Sequence, residues 1–186
     1  LKSANEALAR AETLPEIDCL LVECAVRALG LSSGAVFRND GKVFRRTQDT
    51  RGWTASMKKE LLLDQDANAL RSLKEGDPVR VSHDSSSEPD LPPDTPADRP
   101  SGLAAPCLAV PVRSGVPEAT AVALFGPHQS GNDITADESE MLERLADHAA
   151  MVYERVVAAM LREEVATLKQ KLAAQQPATP VSPTQP

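Results

Sequence analysis

At 186 residues, with 20 Lys and Arg against 27 Asp and Glu and a net charge of -7, the chain suits one domain of about 150 residues with extensions. Aromatic residues make up only 3%, too few for a base-stacking platform, and the acidic balance lacks the clustered cations that phosphate contacts need, which argues against direct nucleic-acid binding. No apolar run approaches the roughly 18 residues of a membrane span, no charged-then-apolar leader opens the chain, and Cys19, Cys24 and Cys107 make no disulfide framework, so reduced thiols in a cytoplasmic setting are expected.

The chain opens with Leu1 rather than Met and so reads as a piece of a longer polypeptide. Residues 1–13 are expected to form a connecting helix, Ala-rich from Lys2 to Glu12. Thr13 followed by Leu14-Pro15-Glu16 looks like a cap with Pro in the first turn. Ile17, Leu20, Leu21, Cys24, Ala28 and Leu29 then recur at helical steps, and Gly30 is placed to terminate them. Ala35 to Arg38 and Lys42 to Arg46 flank Asn39-Asp40-Gly41, a hairpin signal. Their alternation of apolar and polar residues predicts a sheet packed on one face and wet on the other.

A mixed segment around Trp53 and Met57 follows; Asp66 is a candidate cap for a short helix through Ala67, Leu70 and Leu73, closed by Gly76. Pro78 to Ser82 reads as a strand. From His83 to Pro100 the sequence is rich in Pro, Ser and Asp and cannot bury enough apolar area to offset its ordering entropy, so 83–105 is expected to be a flexible loop. It lacks the alternating ligands and turn Gly of a calcium loop.

Pro106 to Val112 and Ala121 to Phe125, joined by a turn at Gly115, predict a second hairpin stopped by Gly126-Pro127. Thr135 and Glu138 form a capping box for a helix that can run to Gln176, about 60 Å at 1.5 Å per residue. Its first half is expected on the sheet, and 156–176 as a coiled-coil extension. Val152, Val156, Leu161, Val165, Leu168 and Leu172 are the predicted dimerisation positions. The Pro-rich tail, 177–186, is expected to be disordered.

Several pieces in this order resemble a GAF domain over about residues 14 to 155. They are Leu14-Pro15-Glu16-Ile17 with Leu20-Leu21, Leu29-Gly30, Ala109-Val110-Pro111-Val112 before Gly115, Ala121 to Gly126, Ile134-Thr135-Ala136-Asp137-Glu138, and Leu142, Leu145 and Ala146. Gly126 to Gly131 is similar to GAF domains at the cytoplasmic ends of bacterial membrane-anchored signalling proteins. The resemblance implies an α+β fold: an antiparallel β-sheet with helices on one face, a small-molecule pocket on the other and a long C-terminal helix. It also implies a homodimer through the N- and C-terminal helices.

The chemical motifs of particular family members fit poorly. Asn132 and Asp137-Glu138 are present, but the Lys and Phe of the cyclic-nucleotide set are out of register, and the acids suit a first helical turn. Cys107 lacks the adjacent His of bilin attachment, and His83 is the one candidate axial ligand for haem. Cys19 and Cys24 lie about 140° apart on a helix, which disfavours a shared metal or a redox pair. Asp147 and His148 point about 100° apart, and no phosphate-binding loop or nucleophile elbow is present, so no metal site, catalytic residue or enzyme is expected, and no cofactor is identified.

Arg38, Arg45, Arg46, Arg80 and Arg113 alternate with apolar neighbours, and several are expected on the face away from the main core, as a carboxylate or phosphate site or as a solvated face. The candidate ligand set is Phe37, Arg45, Trp53, His83, Cys107 and Arg113, with a small anionic ligand. Two functions stand: a small-molecule-sensing regulatory module relaying through its terminal helices, and an assembly module with a degenerate pocket. A pocket filled by Trp53 and Phe37 favours assembly; an open one with convergent Arg favours sensing.

Overall fold

A computed structural model describes residues 2–41, 43–48, 50–54, 57, 60–61, 67–81, 105–115 and 120–175. In chain order the elements are α1 (Lys2–Arg10), α2 (Leu14–Leu29), β1 (Gly34–Asn39), β2 (Phe44–Arg46), β3 (Glu60–Leu61), α3 (Ala67–Glu75), β4 (Val79–Arg80), β5 (Leu108–Val112), β6 (Ala121–Phe125) and α4 (Ala136–Gln175). Asp66, the loop around His83 to Pro100 and the Pro-rich tail fall outside the described residues.

The helix starts follow from side chains that satisfy orphan backbone donors. At α2 the Thr13 hydroxyl accepts from the Glu16 N–H while Glu16 accepts from the Thr13 N–H, with Pro15 in the first turn. The chain therefore breaks into two helices here. Gly30 closes α2 at φ 64, a left-handed conformation that glycine adopts without a Cβ penalty. Thr135 and Glu138 repeat the capping box at α4. His128 lies between these two ends, its Nδ1 2.6 Å from the Leu29 carbonyl and its Nε2 3.1 Å from Glu138 Oε2.

The sheet is antiparallel throughout, in the order β3-β2-β1-β6-β5-β4. The β1–β2 turn closes as its sequence predicts: the Asn39 side chain accepts from the Gly41 N–H and that of Asp40 from the Val43 N–H. Strand β3, unanticipated, pairs only Leu61 with Phe44 and Glu60 with Arg45.

One face of the sheet carries Val36, Leu108, Val110, Val112, Ala121, Ala123 and Phe125 into a core with α1, α2 and the first half of α4. Ile17, Leu21, Leu142 and Tyr153 close this layer, each nearly or wholly buried. Burial of an aliphatic side chain of this kind stabilises by about 1.5–3 kcal/mol. The other face was expected to meet water. Instead Ala35, Phe37, Phe44, Trp53, Leu61, Leu70, Val81, Ala109, Val122 and Leu124 form a second buried cluster. Strands β5 and β6 are apolar at every position, the pattern of strands covered on both sides, and α3 packs against them.

Helix α4 runs 40 residues without interruption, as its cap and periodicity predict. Up to Val157 one side of it is buried against the domain; from Ala159 it is exposed on every side. Among the described residues no helix is long and apolar enough to cross a membrane.

Candidate functional site

Strand β1 presents its two neighbouring residues Phe37 and Arg38 to opposite faces, and each meets a distinct polar arrangement. Toward the helices, Arg38 Nη1 donates to Asp18 Oδ2 of α2 at 3.1 Å. The Tyr153 hydroxyl of α4 donates to the other oxygen of the same carboxylate. Asp18 and Tyr153 are both fully buried. Burial, then the Asp18 charge, pushes the Tyr153 hydroxyl pKa well above its ordinary value. One carboxylate thus ties α2, β1 and α4 together.

Toward the other face, Phe37 meets Trp53 edge-to-face at 5.5 Å. Arg46, the partner of Phe37 across the ladder, lays its guanidinium over the Trp53 ring, also at 5.5 Å. Its Nη2 donates to the Thr54 carbonyl at 2.9 Å. Partial burial lowers the Arg46 pKa from its ordinary value, the charged form having lost water. A cleft of about 450 Å³ opens here, lined among others by Arg45, Arg46, Thr47, Trp53, Thr54 and Glu60.

The candidate ligand residues divide accordingly. Phe37 and Trp53 meet, and Arg45 stands at the cleft rim, ion-paired to Asp40 and Glu60 at 3.1 Å each. Cys107 packs against the helix-side core, and burial raises its thiol pKa, which disfavours the reactive thiolate. Arg113 lies against Gly76 at the end of α3, where a Cβ would come within 2.0 Å of its Nη1. His83 lies outside the described residues.

The expected sharing of one face by the arginines is corrected by register. Arg38 and Arg45 oppose each other and follow the helix-side alternation, and Arg80 reaches the Ile134 carbonyl on that side. Among the arginines on described strands, only Arg46 joins the Phe37–Trp53 cluster. Val152 and Val156 are likewise not free for a partner: both are in the chain's own core, while Leu161, Val165, Leu168 and Leu172 are about half exposed. Asp18 and Tyr153 were missed because Asp18 reads as an ordinary polar position within α2; only its placement on the buried stripe, beside Ile17 and Leu21, hints otherwise.

The sequence matches the GAF domain family over residues 17–153. The fold is similar to the GAF domain of a phosphoenolpyruvate-protein phosphotransferase from Coxiella burnetii, at TM-score 0.65 and 15% identity, over 86% of this chain and 94% of that one. It is also similar to a GAF domain/HD domain protein from Geobacter sulfurreducens, at TM-score 0.60 and 18% identity, over 81% and 98%. A free methionine-R-sulfoxide reductase from Neisseria meningitidis, solved with its substrate, superposes at TM-score 0.61 and 16% identity, over 85% and 88%. At these identities the likeness is one of fold. No curated protein matches the chain.

Proposed function

The chain belongs to the GAF domain family, and on that premise we propose that it is a small-molecule-sensing regulatory domain of a bacterial signal-transduction protein, with its output leaving through α4. The observation that carries this reading is the pair of neighbours on β1. Phe37 touches Trp53 at the cleft, and Arg38 touches the carboxylate that α4 holds through Tyr153. A ligand that moves Trp53 acts on the strand whose next residue anchors both α2 and α4. Such a relay needs two arrangements of the helices with different ligand affinity. A non-catalytic role and a cytoplasmic setting belong to the same proposal, the latter supported by three free cysteines.

The receiving element is a second copy of the chain. Leu161, Val165, Leu168 and Leu172 recur at four- and three-residue steps on the exposed half of α4. With Val165 and Leu172 at a and Leu161 and Leu168 at d, Glu164 falls at g and Lys169 at the following e. In a parallel, in-register pair these two attract across the seam, and β-branched a with Leu d favours two strands. Light scattering on the whole chain is expected to give a dimer mass that Leu168→Glu reduces to a monomer. A monomer at every concentration overturns the relay between subunits.

A second reading has its own support. Phe37, Trp53, Leu61 and Leu70 fill the sheet face opposite α1, α2 and α4, as expected of an assembly module whose pocket has closed. The two readings separate on ligand response: cross-linking at Val165→Cys, with the native cysteines replaced, changes with ligand in a sensor and is constant in an assembly module.

A further inference from the structure

Arg46 Nη1 and Thr47 Oγ1 at the end of β2, and Nε1 of Trp53, whose ring lies under the Arg46 guanidinium, are buried without a hydrogen-bond partner among the described residues. All three residues line the cleft. Arginine and tryptophan are donors only, and a hydroxyl can donate, so what the three lack in common is an acceptor. Leaving a buried donor unmade is unfavourable, the more so for a charged one.

Charge narrows the acceptor further. Arg45, next in sequence, is shared between Asp40 and Glu60, whereas Arg46 has no carboxylate partner among the described residues. Arg46 is therefore a cation with no carboxylate in contact among the described residues, and its buried Nη1 is where a charge-assisted hydrogen bond is strongest. Asp40 and Glu60 already outnumber Arg45 by one charge, so a ligand with a single negative charge is repelled less than a phosphate, which near neutral pH brings closer to two. Gln48, Thr50 and Thr54 complete a polar rim for the rest of the molecule.

We propose that this cleft binds a small molecule through one carboxylate, which accepts from Arg46 Nη1 and Trp53 Nε1 with the Thr47 hydroxyl in support. The site stands on its own geometry, while its regulatory consequence rests on the sensing reading given above. Trp53 is the chain's only tryptophan, so its emission reports the site directly.

The test is titration of the whole chain at constant ionic strength with sodium acetate, lactate and butyrate, and separately with sulfate and inorganic phosphate. A saturable shift of Trp53 emission is expected with the monocarboxylates. Arg46→Gln is expected to raise Kd about tenfold or more, and Thr47→Val a few-fold. Circular dichroism establishes that each variant is folded; if Arg46→Gln is not, Thr47→Val decides. No saturation with any carboxylate, or saturation that neither substitution weakens, overturns the site. Tighter binding of phosphate than of every carboxylate overturns the ligand class. Repeating the Val165→Cys cross-linking at saturating carboxylate separates the two claims: binding with unchanged cross-linking keeps the site and removes the sensing role, whereas changed cross-linking supports both.

Discussion

On the helix-facing side of the sheet, Asp18 is fully buried with Arg38 and Tyr153 both bonded to it; on the other face, Arg46 and Trp53 keep buried donors without acceptors among the described residues. Both sites place an arginine beside an aromatic residue, and the strands that carry them pair directly. The difference lies in the third member. Where the chain supplies its own carboxylate, the arginine becomes part of the scaffold and fixes two helices. Where none contacts it among the described residues, the arginine is held by one carbonyl and one ring face.

Asp18→Ala should give the largest effect, because it leaves the Tyr153 hydroxyl and the Arg38 guanidinium without their acceptor: about 3 kcal/mol lost in urea unfolding. Tyr153→Phe removes one donor from a carboxylate that keeps Arg38, and about 1–2 kcal/mol is expected. Arg46→Met should cost less than about 1 kcal/mol, because the lost bond and stacking are offset by removing a partly desolvated charge. A loss as large as that of Asp18→Ala would break the contrast between the two sides.

Alkaline pH sharpens it further. Burial first, then the Asp18 charge, raises the folded pKa of Tyr153 above its unfolded value of about 10. Its contribution is therefore fully present below that value and is lost as pH rises beyond it, since the unfolded chain releases the proton first. Tyr153→Phe should flatten this part of the pH–stability curve. The smallest effects belong to the α4 cap. The Thr135 backbone and hydroxyl donors lower the Glu138 pKa, so its contribution is present above the ordinary carboxylate range and is lost as pH falls through the lowered value. Thr135→Ala should cost about 1 kcal/mol in thermal or urea unfolding and weaken that acid dependence.

Much of this architecture is legible from residues alone because its signals are local. Thr13 with Glu16, Thr135 with Glu138, Gly30 and Asn39-Asp40-Gly41 each act within a few positions, and each does what its chemistry predicts. The second buried face is harder to read, because β1 and β2 alternate apolar and polar residues as a half-wet sheet does and the opposing signal lies only in the unbroken apolar runs of β5 and β6. The candidate site was only partly legible. Trp53 and Phe37 could be chosen by type, but which arginine joins them depends on register: Arg46 opposes Phe37, while Arg45 opposes Arg38. Partners such as Asp18 and Tyr153, 135 positions apart, meet only through the packing of two helices.

Helix α4 crosses from the domain interior to solvent with no glycine or proline along its length to act as a joint. From Tyr153 to Gln175 it extends about 33 Å past its anchor. A tilt of about 5° at that anchor swings the far end by about 3 Å, given this rise per residue. A displacement too small to disturb close packing at the pivot thus becomes, at the tip, comparable to the spacing between a knob and its hole.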